Sequence, residues 1–224
     1  MALVQPQWLC FDLDGTLVDS VPDITFSVNQ MLAQLQLGLV DETVARTWIG
    51  NGAAKLIERA LIHVLADKPD SHLLEQAKTL FFIAYEKNIA LKTVVYPDCI
   101  EVLEHFVNMD IPLACVTNKP RKFTPPLLEK LAMANYFNAV VCGDDLPSQK
   151  PEPGMLLEAI RQLGGAPHTG YMIGDSETDI ASANNAGTGA IYVSYGYNRG
   201  VSVEKYQPIY VNALKEIPLL FERV

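Results

Sequence analysis

Short apolar runs that each end abruptly in polar residues constrain this chain more than any other feature of its sequence. Trp8 to Phe11 empties into Asp12-Leu13-Asp14-Gly15-Thr16, and Ile111 to Val116 empties into Thr117-Asn118. Ala139 to Cys142 leads to Gly143-Asp144-Asp145, Tyr171 to Ile173 to Gly174-Asp175, and Ala190 to Val193 to Ser194-Tyr195-Gly196. A short apolar run bounded by turn residues reads as a buried strand. Between the runs, Cys99 to Asn108, Phe123 to Ala132, Met155 to Leu163 and Asp179 to Ala186 carry apolar residues at three-and-four spacing, which predicts helices. Strand alternating with helix predicts an α/β fold, a parallel sheet covered on both faces.

One interval breaks this rhythm. From Asp19 to Lys92 the chain shows amphipathic helical patterns (Ile24 to Leu35, Ala53 to Leu65, Leu73 to Tyr85) and no convincing strand. The expected organisation is therefore an α/β core of residues 1–18 and 93–224, with residues 19–92 inserted as an all-helical cap. Because the insertion follows the first strand's polar turn, it should sit above the carboxyl ends of the strands, where open α/β sheets bind ligands.

Composition narrows the function classes. The 17 Lys and Arg residues are outnumbered by 26 Asp and Glu, a formal charge of -9 that repels nucleic acid and anionic lipid. Such a charge favours an unassociated surface, so a monomer or at most a weak homodimer is expected. No basic segment precedes an apolar stretch at the N-terminus, and no uncharged apolar run is long enough to span a bilayer, so a cytoplasmic location is expected. Cys10, Cys99, Cys115 and Cys142 form no C-x-x-C pair, and three of them lie in apolar runs, where a thiol behaves as a small hydrophobe. The four histidines are scattered without ligand spacing and read as solvated positions.

The chemistry is expected at the strand ends. Asp12, Asp14, Thr117 and Asp175 each follow an apolar run and should converge on one crevice, with Lys150 in reach after the third run. Three crowded carboxylates repel unless a cation relieves them, and an oxygen-rich cluster suits Mg²⁺. A phosphoryl group needs its oxygens neutralised and an in-line nucleophile, which Lys150, the Thr117 hydroxyl, the metal and the Asp12 carboxylate could supply. Asp14, two residues on in an extended backbone, points to the same side as Asp12, where it can protonate the leaving alkoxide and then deprotonate water.

Asp12-Leu13-Asp14-Gly15-Thr16, Thr117-Asn118, Lys150-Pro151 and Gly174-Asp175-Ser176-Glu177-Thr178-Asp179 together resemble, in order and spacing, the four motifs of the haloacid dehalogenase superfamily. The resemblance implies a doubly wound, Rossmann-like core, with Asp12 as nucleophile and Asp14 as acid and base. It implies a phosphate site of Thr117, Asn118 and Lys150, and Mg²⁺ held by Asp12, the Asp14 backbone carbonyl and Asp175. Asp179 either supports that metal from outside its ligand sphere or is a solvated carboxylate in the first turn of a helix. The presence of Asp14 argues for phosphatases over the dehalogenases of the superfamily, which have no leaving alkoxide to protonate.

Within the superfamily, Val116-Thr117-Asn118-Lys119-Pro120, Gly143 to Pro147 and Tyr195-Gly196-Tyr197-Asn198 look more closely like phosphoglycolate phosphatases. Trp48-Ile49-Gly50-Asn51-Gly52, running into a helix with Lys55 and Arg59, resembles the specificity loop of that family. Its glycines either hold a small anion on exposed backbone N–H groups, with Lys55 or Arg59 adding charge, or simply make a tight turn. Pro153-Gly154-Met155 and Arg199 depart from the family pattern. The resemblance implies hydrolysis of a small phosphomonoester, 2-phosphoglycolate first, with a phosphosugar phosphatase or phosphomutase, or a catalytically silent phosphate-binding protein, as the alternatives.

Overall fold

The computed structural model describes residues 3–197 and 200–222. Its core is a six-stranded, wholly parallel sheet: β1 (Trp8–Phe11), β4 (Leu113–Val116), β5 (Ala139–Val141), β6 (Gly170–Gly174), β7 (Gly189–Val193) and β8 (Ile209–Val211). The order across the sheet is β5-β4-β1-β6-β7-β8, so the chain winds outward from β1 first on one side and then on the other. β1 is flanked by β4, with Leu9 opposite Leu113, and by β6, with Leu9 opposite Tyr171. The three strands that end in Asp12, Thr117 and Asp175 are thus neighbours, which is why residues so distant in sequence meet.

Alternation along the strands divides the interior into two layers. Leu9, Phe11, Leu113 and Cys115 join one buried cluster with Phe106 and Leu103 of α5 (Cys99–Asn108) and with Leu127 of α6 (Thr124–Lys130). Trp8, Cys10, Ala114 and Val116 face the other way, against Leu156 and Ile160 of α7 (Gly154–Gln162) and Ala183 of α8 (Glu177–Ala186). The expected two-sided covering follows from this, and the strands read as continuous apolar runs because both faces are buried. All four cysteines are free and buried.

Four helices lie between the first strand and the rest of the sheet: α1 (Val21–Gln34), α2 (Glu42–Arg46), α3 (Gly52–Leu65) and α4 (Ser71–Asn88). α1 and α4 pack along each other, and Asp70 starts α4 by accepting from the Leu73 N–H at 2.8 Å. The helical segment enters and leaves through a two-stranded antiparallel ribbon, β2 (Val18–Asp19) with β3 (Val94–Val95). Beside the ribbon the buried Asp23 carboxylate accepts from the Lys92 and Thr93 N–H groups, both at 2.9 Å, and from the Thr93 hydroxyl at 2.6 Å. One side chain thereby ties the outgoing chain to the returning one. The ribbon, α2 and β8 were not expected from the sequence: two to five residues are too few to display a period. No helix among the described residues is long and apolar enough to cross a membrane.

Candidate active site

Lys150 organises the crevice at the carboxyl ends of β1, β4 and β6. Its side chain is 1% exposed, and its ammonium donates to Asp12 Oδ1 at 2.7 Å, Asp179 Oδ1 at 2.6 Å and the Val116 carbonyl at 2.6 Å. An ammonium has three N–H donors, so each is assigned a fixed acceptor. The lysine backbone is clamped as tightly: Asn118 Nδ2 donates to the Lys150 carbonyl at 3.0 Å, and Asn118 Oδ1 accepts from the Lys150 N–H at 3.0 Å. Asn118 therefore acts on the crevice by placing Lys150, while Thr117 lies buried in the cleft wall and accepts from the Lys119 N–H at 3.2 Å.

Carboxylate oxygens of Asp12, Asp175 and Asp179 all lie within 4.8 Å of one another, and all three residues are buried. Asp175 accepts from the Thr16 hydroxyl at 3.1 Å and from the Tyr197 N–H at 2.7 Å. Asp179 caps its own helix, accepting from the Ser176 N–H at 3.1 Å, and so is both a first-turn helix residue and a partner of Lys150. Burial pushes the Asp12 carboxyl up to about 7 against the opposing pull of Lys150, and burial followed by the Asp179 and Asp12 charges pushes Asp175 well above the usual carboxylate range. Fully ionised, the three carboxylates and one ammonium would leave two negative charges uncompensated, the deficit that one divalent cation balances. Gly15 leaves room for the cluster: its φ is +97°, and a Cβ there would lie 2.4 Å from Asp175 Oδ2. The donor set is all oxygen, and it suits a hard divalent ion.

Asp14 is turned away from that cluster. Its carboxylate accepts from the Ser20 hydroxyl at 2.6 Å and from the Lys119 ammonium at 2.9 and 3.2 Å, and with Asp12 it lines a cleft between the carboxyl ends of the strands and the helical insert. Lys119 is itself buried, and its ammonium lies over the Tyr85 ring, 4.7 Å from the centroid. Attraction to Asp14 holds the Lys119 pKa above the ordinary lysine value despite burial.

The insert contributes the cleft's other wall. Gly50 accepts from Asn118 Nδ2 at 3.1 Å through its carbonyl, and a Cβ on Gly52, whose φ is +81°, would meet Gln149 Oε1 at 3.0 Å, so this loop is pressed onto the core. Arg59 shapes the loop from behind, donating to the Trp48 carbonyl at 2.7 Å and to Asn51 Oδ1 at 2.8 Å. Gly50 and Gly52 line the cleft; Lys55 does not. It points outward, 61% exposed and paired with Glu58 at 2.8 Å, because it falls on the solvent face of α3 one residue before the buried Leu56. Of the expected residues, then, Asp12, Asp14, Thr117, Asn118, Lys150, Asp175 and Asp179 come together with Gly50 and Gly52, and Lys55 stays outside.

Sequence reading assigned no role to Lys119, Tyr85, Ser20 or Tyr197. Lys119 directly follows Thr117-Asn118, yet a lysine next to a proline reads as solvated until the fold buries it. Tyr85 belongs to the apolar stripe of α4 and gave no signal of its own. Arg199, with Asn198, lies outside the described residues.

The chain belongs to the haloacid dehalogenase-like hydrolases, whose family pattern it matches over residues 9–193. It is 42% identical over 206 residues to a phosphoglycolate phosphatase of Nitrosococcus oceani, covering 92% of each chain. A phosphoglycolate phosphatase of Colwellia psychrerythraea is 39% identical over 210 residues, covering 93% of each. Among solved structures, a predicted phosphoglycolate phosphatase from Haemophilus somnus superposes with a TM-score of 0.92 at 31% identity, covering 98% of this chain and all of that one.

Proposed function

We propose that this enzyme is a Mg²⁺-dependent phosphatase that hydrolyses 2-phosphoglycolate to glycolate and phosphate through a phosphoaspartate on Asp12. The observation that carries the reading is the placement of Asp12 and Asp14 in one cleft with different partners: Asp12 on Lys150 at the metal-suited cluster, Asp14 on Lys119 and Ser20 toward the insert. Two carboxyl groups two residues apart are thereby given separate tasks.

In the first half-reaction an Asp12 oxygen attacks phosphorus as the P–O bond to the alkyl group breaks, and the Asp14 carboxyl gives its proton to the departing oxygen. In the second, Asp14 takes a proton from water as that water attacks phosphorus, and the Asp12–phosphorus bond breaks to return the free carboxylate. Lys150, fixed by Asp179 and Val116, faces the phosphoryl charge without reorganising. Asp12 and Asp175, with the Asp14 backbone carbonyl, would hold Mg²⁺, and Asp179 would support them through Lys150. Bound there, the ion supplies neutralisation of the phosphoryl oxygens.

The small substrate is supported by the names of the relatives. A phosphate-release panel comparing 2-phosphoglycolate with sugar phosphates and nucleotides, with and without Mg²⁺, tests it. The expected result is metal-dependent release with 2-phosphoglycolate giving the highest kcat/KM; preference for a sugar phosphate would replace the substrate and keep the reaction.

A further inference from the structure

Three buried side-chain polar atoms have no hydrogen-bond partner among the described residues: Thr25 Oγ1, the Tyr85 hydroxyl and the Tyr192 hydroxyl. Tyr85 alone of these residues lines the active-site cleft. Buried hydroxyls are nearly always bonded, because leaving one unpaired forfeits its hydration without return. Tyr85 thereby brings to the wall of the cleft a buried phenol whose own proton has no acceptor among the described residues. The Lys119 ammonium lies 4.7 Å from the Tyr85 ring centroid and donates to Asp14 at 2.9 Å, which sets this phenol on the Asp14 side of the cleft. Burial pushes it up to about 12, so it keeps its proton at neutral pH and acts as a donor.

The surroundings define what it would donate to. The insert's share of the cleft is otherwise apolar, with Ile24, Ile49, Leu56 and Phe81 forming the wall. Lys119 is the cation on that side, and Gly52 and Ala53, opening α3, bring the positive end of a 14-residue helix to the same space. A sugar would meet this apolar wall with hydroxyls that find no partner. A short leaving group ending in an anion meets a donor, a cation and a helix N-terminus.

We propose that the Tyr85 hydroxyl and the Lys119 ammonium together read the leaving group, selecting phosphoesters that carry a carboxylate one carbon from the ester oxygen. This rests on the phosphatase reading above and names what makes the site choose. Tyr85, contributed by the insert, is the specificity residue; Lys119 joins that contact to Asp14, so correct binding of the carboxylate and orientation of the acid–base residue are linked.

The test is the ratio of kcat/KM for 2-phosphoglycolate to that for ethyl phosphate, which has the same two carbons without the carboxylate, in the unmodified enzyme and in Tyr85→Phe. The unmodified enzyme should prefer 2-phosphoglycolate, and Tyr85→Phe should cut the ratio about 10-fold or more, mainly through KM, the size of a lost hydrogen bond to a charged group. Thermal unfolding should show no loss of stability in the variant, since the hydroxyl it removes is unpaired. A ratio unchanged by Tyr85→Phe, or an equal loss on both substrates, overturns the proposal and leaves the phosphatase reading standing. An unmodified enzyme with no preference for 2-phosphoglycolate over ethyl phosphate overturns both the substrate assignment and the role given to Tyr85.

Discussion

The two walls of the cleft are built on opposite plans. The sheet wall carries almost all of the charge, and every charge on it is fixed: Lys150 to Asp12, Asp179 and Val116, Asp175 to Thr16 and Tyr197, Asp14 to Ser20 and Lys119. The insert's wall is apolar, rests on the core through Gly50 and Gly52, and presents one hydroxyl left without a partner. Preorganised charge is what a phosphoryl transition state requires, because it costs no reorganisation at the moment of reaction. An unsatisfied donor is what selection requires, because it is completed only by the right substrate. The difference assigns chemistry to the strand ends and choice to the helices.

Variants on the sheet wall should act on turnover, and the largest effect is expected at its nucleophile. Asp12→Asn keeps the shape and removes the attacking charge, so kcat should fall by at least about 10⁴-fold while the circular dichroism spectrum and fold persist. Lys150→Met comes next: it strips the buried carboxylates of their shared counter-ion, so kcat should fall by about 10³-fold and unfolding in urea should show a loss of about 3–5 kcal/mol. Added Mg²⁺ should restore part of that stability, since the ion binds the folded cluster and not the unfolded chain. Lys119→Met stands between the two walls and should lower kcat by about 10²-fold, the low end of what a positioned acid–base group contributes, because it frees Asp14 from its partner, with KM for 2-phosphoglycolate rising as well. The smallest effect is expected at the insert's contact with the core. Gly52→Ala must hold an Ala at φ +81° against Gln149, a strain of about 1–2 kcal/mol, which should raise KM several-fold with kcat nearly unchanged. A kcat loss in Gly52→Ala as large as that in Lys119→Met would erase the division between the walls.

The sheet wall was legible in the sequence and the insert's wall was not, for one physical reason. Asp12, Thr117 and Asp175 each end a strand, and strands buried on both faces advertise themselves as apolar runs. Once β1, β4 and β6 are neighbours, their ends have nowhere else to go. For Asp179 the sequence leaves open a solvated carboxylate in the first turn of a helix or a support for the metal cluster; it does lie in the first turn of α8, but buried and bonded to Lys150 rather than solvated, because α8 begins where β6 ends. The helix face that a residue occupies is harder to read than its helix. Lys55 was expected beside the substrate because it follows the glycine loop, yet its neighbour Leu56 takes the buried position and Lys55 turns to solvent. Tyr85 reads as any aromatic of an amphipathic stripe; that its ring packs against Phe123 and beneath Lys119 depends on residues far away in sequence.

The covalent step is open to direct observation. Enzyme turning over 2-phosphoglycolate with Mg²⁺, quenched in acid within its first turnovers and mapped by mass spectrometry, should carry a phosphoryl group on the peptide containing Asp12, absent in Asp12→Asn and absent without substrate. Phosphate release that proceeds while no phosphorylated peptide is trapped at Asp12, or with the label found on another residue, would contradict the account.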